Sequence, residues 1–483
     1  MAPGTNGTIG ALSVKGDLLF AAGSFYRIDA NAAGASDRLL SSGVATLQGG
    51  TVLVNADTGV YAPRTRYTIL AAAGGVAGQF AEVTTNFAFL TPNLSYDANN
   101  AYLTLSRNDV QFIAVASTPN QHAAGLASQS LGVGGTLYDA IVTLSADQGR
   151  RAFDMLSGEV NASAVSARYE TAHIVRETIL DRLRYGEIGS GDRAAGAPAQ
   201  GVRPRRSAIW GQGFGTFGTT GSNGNAARLR QQHSGLLLGV DTLASSTWRL
   251  GIAGGYTHNS LDVADRNSDA SIQGVFGGAY AGTTFGATQL RFGASYSDAT
   301  LRTKRMPSFP TFSDTAMSRY SGDLRQAFGE AGYQIRSATG YVEPFVGGAV
   351  LHMMRKGFAE RGGASALTAN SDAYDIATST VGIQVQDRPG AVLGAETPLL
   401  LRGLLAYRHA YGDVNPSAVV RFAEADQSFT VVGAPIAQDA LVAQGGIDWR
   451  VSSATTLSLA YNGQLGSQRT QDHGLKVNFL HRW

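Results

Sequence analysis

Residues 472–483 read DHGLKVNFLHRW. In an extended chain Leu475, Val477, Phe479 and Trp483 fall on one side and Lys476, Asn478 and Arg482 on the other, because successive strand side chains alternate faces. One face is apolar to the last residue. Terminal residues stay ordered only when something ties them down, and here the tie must itself be apolar. A protein core or lipid could supply it, and the rest of the sequence bears on which.

Upstream of this strand the pattern repeats. Twelve strands can be counted from about residue 208 to the end. In WRLGIAGGY (248–256), Trp248, Leu250, Ile252 and Tyr256 face one way, and Arg249, Gly251, Ala253 and Gly255 the other. The connections carry more information than the strands. Those after strands 2, 4, 6 and 10 are tight. Those after strands 3, 5, 7 and 9 read as long and polar: SLDVADRNSD (260–269), TLRTKRMPSFPTFSDTAMSRYSG (300–322), RKGFAERGGASALTANSDA (355–373) and about 412–438. Alternating long and short connections predict a transmembrane barrel with short periplasmic turns, long outer loops and, for an even strand number, both barrel termini in the periplasm. Trp210, Trp248, Tyr256, Tyr280, Tyr296, Tyr333, Tyr341, Tyr407, Trp449 and Trp483 lie mostly near strand ends, where interface girdles are expected.

Composition agrees. Charged residues are 15% of the 483-residue chain and glycines number 61, a low and a high share respectively for a soluble domain. Lys plus Arg is 38 against 36 acidic residues, so no net field draws a polyanion and a nucleic-acid partner is not expected. Cysteine is absent, which suits export through an oxidising compartment and excludes thiolate chemistry. No apolar run is long enough for a spanning helix. The opening MAPGTNGTIGALSV lacks a signal-peptide pattern, so for an exported protein residue 1 is not expected to be the native start.

Residues 7–105 show short alternating apolar runs separated by Gly, Asn and Asp turns. They fit the last rungs of a β-solenoid better than a sandwich. From about residue 120 the pattern turns helical. SADQGRRAFDMLSG (145–158) opens with a capping-box spacing, Ser145 to Gln148, and stops at Gly158. The stretch NASAVSARYETAHIVRETILDRLRYG (161–186) places Val165, Ala172, Val175, Ile179 and Leu183 at helical spacing, with Arg168, Glu170, His173, Arg176, Glu177, Asp181, Arg182 and Arg184 around the rest. Its reach of about 35 Å is comparable to a membrane's thickness. The Gly-, Ala- and Pro-rich segment 186–207 reads as a linker into the first barrel strand. The domains expected are 1–118 (solenoid rungs), 119–160 (helical linker), 161–204 (pore helix and periplasmic linker) and 205–483 (barrel).

The segments LAYRHAYGDVNPSA (405–418), FTVVGAPIAQDALVAQGGIDWRVS (429–452), TLSLAYNGQLGSQRTQDHGLKVNFLHRW (456–483), LSGEVNAS (156–163) and SDRLLSSGVATLQGGTVLV (36–54) resemble monomeric (type Va) autotransporters, over nearly the whole chain and in the family's order. The resemblance implies a twelve-stranded translocator barrel in a Gram-negative outer membrane, a helix threaded through its pore, and the pertactin-like end of a surface-exposed β-helical passenger. It implies that Leu475, Val477, Phe479 and Trp483 form the C-terminal signal read by the barrel-assembly machinery, with periplasmic chaperones and outer-membrane lipid as further partners and the chain a monomer. His481 stands where an apolar residue is usual. Some members cut themselves at an Asn–Asn pair in the pore, and here Asn161 precedes Ala162, so that route is not expected. Barrel size supports the picture independently: twelve strands leave room for about one helix, and a polar lumen gives a charged helix its place.

Catalytic motifs are wanting. GFGTFG (213–218) spells a dinucleotide fingerprint but leads into a loop rather than a helix. The eight histidines show no metal-ligand spacing, and neither a cofactor nor an enzymatic activity is expected of this segment. Glu330 and Glu343, on neighbouring strands, are candidate lumen carboxylates for helix arginines such as Arg176 or Arg182, and are equally compatible with simple hydration. Three functions stay open: export and anchoring of a passenger, adhesion to a host or cell-surface ligand through the passenger, and a passenger protease or esterase with its catalytic part upstream.

Overall fold

A computed structural model describes residues 1–4, 7–56, 65–185, 207–388 and 399–483; most of the predicted 186–207 linker and residues 389–398 lie outside them. Twelve long strands follow residue 206: β1 (Ser207–Thr220), β2 (Leu229–Leu243), β3 (Trp248–Val263), β4 (Ser268–Phe285), β5 (Thr288–Arg305), β6 (Ala316–Tyr333), β7 (Gly340–Arg355), β8 (Asp372–Asp387), β9 (Leu399–Gly412), β10 (Asp439–Arg450), β11 (Thr455–Gly466) and β12 (Thr470–Arg482). Each pairs antiparallel with the next, and β12 pairs with β1 from Ala208↔Arg482 to Thr219↔Gln471. The sheet is closed, so these strands leave no unpaired edge.

The register fixes the barrel's dimensions. A path across paired residues from Leu399 runs through Trp449, Leu457, Phe479, Gly211, Leu238, Gly254, Gly277, Tyr296, Arg325, His352 and Asp375. It returns to the end of β9 at Asp413, whose amide donates to the Asp375 carbonyl, fourteen residues beyond Leu399. Twelve strands with that stagger tilt by about 40° and enclose a backbone cylinder of about 12 Å radius. Each residue then climbs about 2.6 Å along the barrel axis.

On this scale the outward face is apolar for about 25 Å, the height of an outer-membrane barrel's lipid band. Leu236, Leu238, Ile252, Val346, Val381, Leu405, Leu459, Leu475, Val477 and Phe479 are all exposed within it. Its lower edge is aromatic, with Trp248, Phe285, Tyr333, Trp449 and Trp483 outward at one end of their strands. Its upper edge turns polar at His258, His352, His409 and His473, which lie within about 6 Å of one level.

Two expectations need correction. Trp210 and Tyr280 are buried in the lumen, where the Trp210 indole N–H donates to the Tyr280 hydroxyl at 2.6 Å, and the Tyr341 hydroxyl also points inward to the Arg184 carbonyl. Alternation decides this, since they occupy inward positions of their strands; Gly239, directly opposite Trp210, leaves the space its ring fills, and a Cβ there would lie 2.4 Å from the indole. The connection after strand 3 is also not long. β3 and β4 stay paired to Val263↔Ser268, leaving four residues, and β5 and β6 stay paired to Arg305↔Ala316. Polar residues read as loop are strand that projects above the lipid band.

Above the barrel lie α1 (Pro119–Ser130), α2 (Thr136–Val142) and α3 (Ala146–Leu156). The Ser145–Gln148 capping box forms reciprocally, and Gly158 adopts φ 72° where the chain turns into α4 (Val160–Tyr185). Phe112, Phe153, Leu156, Phe358, Leu367, Phe422, Phe429 and Val431 bury a shared core between the helices and the outer loops. Before them, three small parallel sheets are built from strands 11–14, 38–41 and 66–72, from 18–20, 45–48 and 76–79, and from 25–30, 51–56 and 82–85. Successive strands stack in parallel register, with one row of leucines at Leu12↔Leu39↔Leu70. An antiparallel hairpin, 90–96 with 100–107, extends the first of them.

Candidate functional site: the lumen and its helix

Twenty-six residues of α helix extend about 39 Å, more than the lipid band's height. Nearly every residue of α4 is buried, although its polar groups are spread around its whole circumference. A helix polar all round is stable only where partners surround it, and α4 finds them on eight strands. Small residues allow the upper half close approach: Ser163 and Ser166 bond the backbone of Ala434, and a Cβ on Gly433 would lie 2.3 Å from the Ser163 nitrogen. Arg168 donates to the carbonyls of Met354 (3.0 Å) and Asp323 (2.7 Å). Asn259 reaches the Ala167 carbonyl, and Glu170 lies 3.8 Å from Arg408.

The lower half is a network of charges. Arg182 grips Asp241 through two bonds of 2.7 and 2.8 Å, and Asp241 also accepts from Arg249 and from the Tyr280 hydroxyl. Arg184 donates to Glu330 at 3.0 Å and to Glu177 at 2.8 Å. Asp181 accepts from Lys476 (3.1 Å) and Gln444 (3.0 Å) on the far side. Bidentate arginine–carboxylate pairs are among the strong ion pairs, and two arginines in the last turn also suit the negative end of the helix dipole. Beside mid-helix the free spaces are 30 and 40 Å3, room for a few waters.

The selected residues separate into two groups. Arg168, Glu170, His173, Arg176, Glu177, Asp181 and Arg182 all lie inside the barrel, with His173 3.9 Å from Glu177. Glu330 and Glu343 are in the lumen, but neither pairs with Arg176 or Arg182. Glu330 takes Arg184 and also Arg291 of the barrel wall (2.8 Å), and Glu343 takes the same Arg291 at 2.6 Å; Arg176 reaches Gln326 at 3.5 Å. The reason is the side of the helix: Arg182 and Arg184, two residues apart, point about 200° from each other, the first to Asp241 on β2 and the second to Glu330 on β6. Leu475, Val477, Phe479 and Trp483 point outward. His481 hydrogen-bonds Thr455 at 3.0 Å. Sequence reading passed over Asp241, Arg249, Arg291 and Arg408, which the inward parity of their strands would have revealed. Among the described residues no three His, Asp or Glu side chains converge as a metal would require.

Where helix and cap meet, outside the membrane, Arg266 holds Asp154 and Glu159, both at 3.1 Å. Burial raises both carboxyls above their ordinary values, with Arg266 opposing the shift. Asn161 is fully buried there, beside Glu360 (3.5 Å) and the Tyr320 hydroxyl (3.3 Å).

A closed twelve-strand barrel filled by the helix that precedes it agrees with the family comparison: residues 209–462, over half the chain, match the autotransporter beta-domain. The chain belongs to the autotransporter family. It is the translocator barrel in the outer membrane with an upstream piece of the passenger it exports. Among solved structures, the translocator domain of autotransporter NalP from Neisseria meningitidis aligns over all of its own length and 68% of this chain, with a TM-score of 0.53 and 15% identity, a likeness of fold. Two extracellular serine proteases of Serratia marcescens are 28% and 26% identical over 100% and 98% of this chain. The chain spans about half the length of these curated relatives.

Proposed function

We propose that residues 160–185 are the last exported segment of the passenger, retained as plug and tether, and that the passenger stands at the cell surface on the α1–α3 cap. The observation that carries this reading is the helix's ring of buried ion pairs and hydrogen bonds to strands on all sides of the lumen. The three parallel sheets, repeating every 26–31 residues in register, support a solenoid whose final rungs are residues 11–85. The names of the Serratia relatives favour an extracellular serine protease in the upstream part of the passenger over an adhesin. Outer-membrane lipid, the barrel-assembly machinery and periplasmic chaperones are its partners in this reading.

Planar-bilayer recording tests the plug. The intact chain should conduct little, and a variant lacking 160–185 should conduct as an open pore; equal conductance would place the helix outside the working lumen. A serine-directed fluorophosphonate probe, applied to cells expressing the complete reading frame, tests the passenger. Labelling of a surface or released product is expected, and its absence would return the adhesin reading.

A further inference from the structure

Above the lipid band, the β5–β6 hairpin and the chain that follows β7 present cations to solvent on one continuous outward face. Arg302 and Arg319 stand directly opposite each other in register. Lys304 is on the next outward position of β5, opposite Met317. Lys356 is held beside Ser321 by the bond from its amide to the Ser321 carbonyl, and Arg361 exchanges two backbone bonds with Met317. Arg302, Arg319, Lys356 and Arg361 are exposed, and among the described residues no carboxylate lies within ion-pairing distance of any of these five. The carboxylate facing the patch in register is Asp269, across from Lys304. Asp298 and Asp323 lie lower on the same strands, where Asp323 is 3.7 Å from Arg325.

Like charges directly opposite on paired strands are destabilising. Five cations side by side in a chain with a net charge of only +2 call for an anion from outside. Height selects which one. On the register scale the patch begins about 12 Å above the polar edge of the lipid band and extends some 10 Å further. A phospholipid headgroup layer is about 5–8 Å deep, so phospholipid phosphates end below it.

We propose that this face binds the phosphorylated saccharide portion of a glycolipid in the outer leaflet. The fork of each guanidinium suits a phosphate, and the two lysines add point charges; clusters of four or more cations beside a spanning segment attract anionic lipid in the same way. The site would orient the barrel's tallest hairpin against its lipid annulus, on the side where Arg168 inside the lumen bonds the β6 and β7 backbone.

The test uses the full chain and a variant carrying Arg302→Gln, Arg319→Gln, Lys356→Gln and Arg361→Gln. Both are reconstituted in vesicles of neutral lipid doped with lipopolysaccharide, with enzymatically dephosphorylated lipopolysaccharide, or with phosphatidylglycerol. Bound lipid is counted by native mass spectrometry after detergent extraction, and heat-shifted mobility in SDS gels checks assembly. Four exposed charge pairs together support a loss of about tenfold in retained lipopolysaccharide for the variant. Wild type should retain the dephosphorylated form and phosphatidylglycerol no better than the variant does. Equal retention of lipopolysaccharide by both proteins, or equal retention of phosphatidylglycerol and lipopolysaccharide by wild type, overturns the proposal. A second variant, Lys15→Gln with Arg38→Gln in the parallel sheets, should behave as wild type; if it loses lipid equally, the effect is one of net charge and the assignment fails.

Discussion

Asp241→Ala should unlock the pore helix without preventing barrel assembly. The side chain of Asp241 is fully buried, and it holds two arginines that are themselves 4–5% exposed, Arg182 on the helix and Arg249 on the wall. Removing one partner of such a buried cluster leaves uncompensated charge at a cost of about 3–5 kcal/mol. The burden falls on the docked helix, because only docking brings Arg182 beside Arg249. Each 1.4 kcal/mol is about a factor of ten in population, so the undocked population should rise by roughly a hundredfold to a few thousandfold. In planar bilayers this reads as a matching increase in the frequency of openings, with heat-shifted mobility in SDS gels unchanged. Replacing the whole cluster, Asp241→Leu with Arg182→Met and Arg249→Met, should restore most of the closed state, since apolar groups of similar size often substitute for buried ion pairs without loss. An opening frequency within threefold of wild type in correctly assembled Asp241→Ala would refute the argument.

Other outcomes follow from the barrel and its cap. Unheated protein in SDS should migrate differently from boiled protein, with residues 207–483 resistant to protease; identical mobility together with full digestion would contradict a closed sheet. Deleting Trp483, or changing Phe479 to Glu, should lower the yield of outer-membrane protein, and an unchanged yield would reduce Trp483 to an interface anchor. Burial raises the Glu159 carboxyl above its ordinary 4.5, so the folded cap binds a proton more readily than the unfolded chain does. Its contribution to stability is therefore fully present below pH 4.5 and is lost as pH rises through the folded value. Glu159→Gln should flatten that part of the pH profile of cap proteolysis, and an unaltered profile would assign the dependence elsewhere.

The barrel was legible because lipid imposes a simple rule on one face only. Every second residue from Leu475 to Phe479 must be apolar, and twelve such strands at regular spacing have few other readings. Loop lengths were less legible. SLDVADRNSD looks like a loop because its outward residues, Ser260, Asp262 and Asp269, are polar; above the membrane a paired strand faces water on its outer side and loses the apolar half of its pattern. Hairpin pairing alone keeps it in the sheet, and pairing leaves little mark on composition. Trp210 and Tyr280 were misplaced for a related reason: a girdle aromatic and a lumen aromatic differ only in parity, and parity is lost if one strand end is misjudged by a residue.

The helix was recognised from its own pattern, but its partners were not, and the difference is geometric. Which wall residue meets a given helix turn depends on the stagger of the closed sheet, a property of all twelve strands together. Glu330 is inward on β6, and Asp241 is inward on β2; nothing near either in the sequence says which of Arg176, Arg182 and Arg184 it faces. With a stagger of fourteen, four strand steps raise the register path about 12 Å, or two turns of helix. A register offset of two residues in a single hairpin moves every strand beyond it by about 5 Å, more than the roughly 3 Å that separates Arg182 from Arg184 along the helix. The sequence offers Glu330 and Glu343 as inward carboxylates for arginines such as Arg176 or Arg182, and the structure sets Arg184 and Arg291 against them instead. By the same reasoning a charge swap between Arg184 and Glu330 tests the register itself. Arg184→Glu alone places a carboxylate against Glu330 and should loosen the helix, and adding Glu330→Arg should recover closure only if the two residues share one level as the register requires. Recovery from Glu343→Arg instead would shift the wall by one strand and refute the stagger.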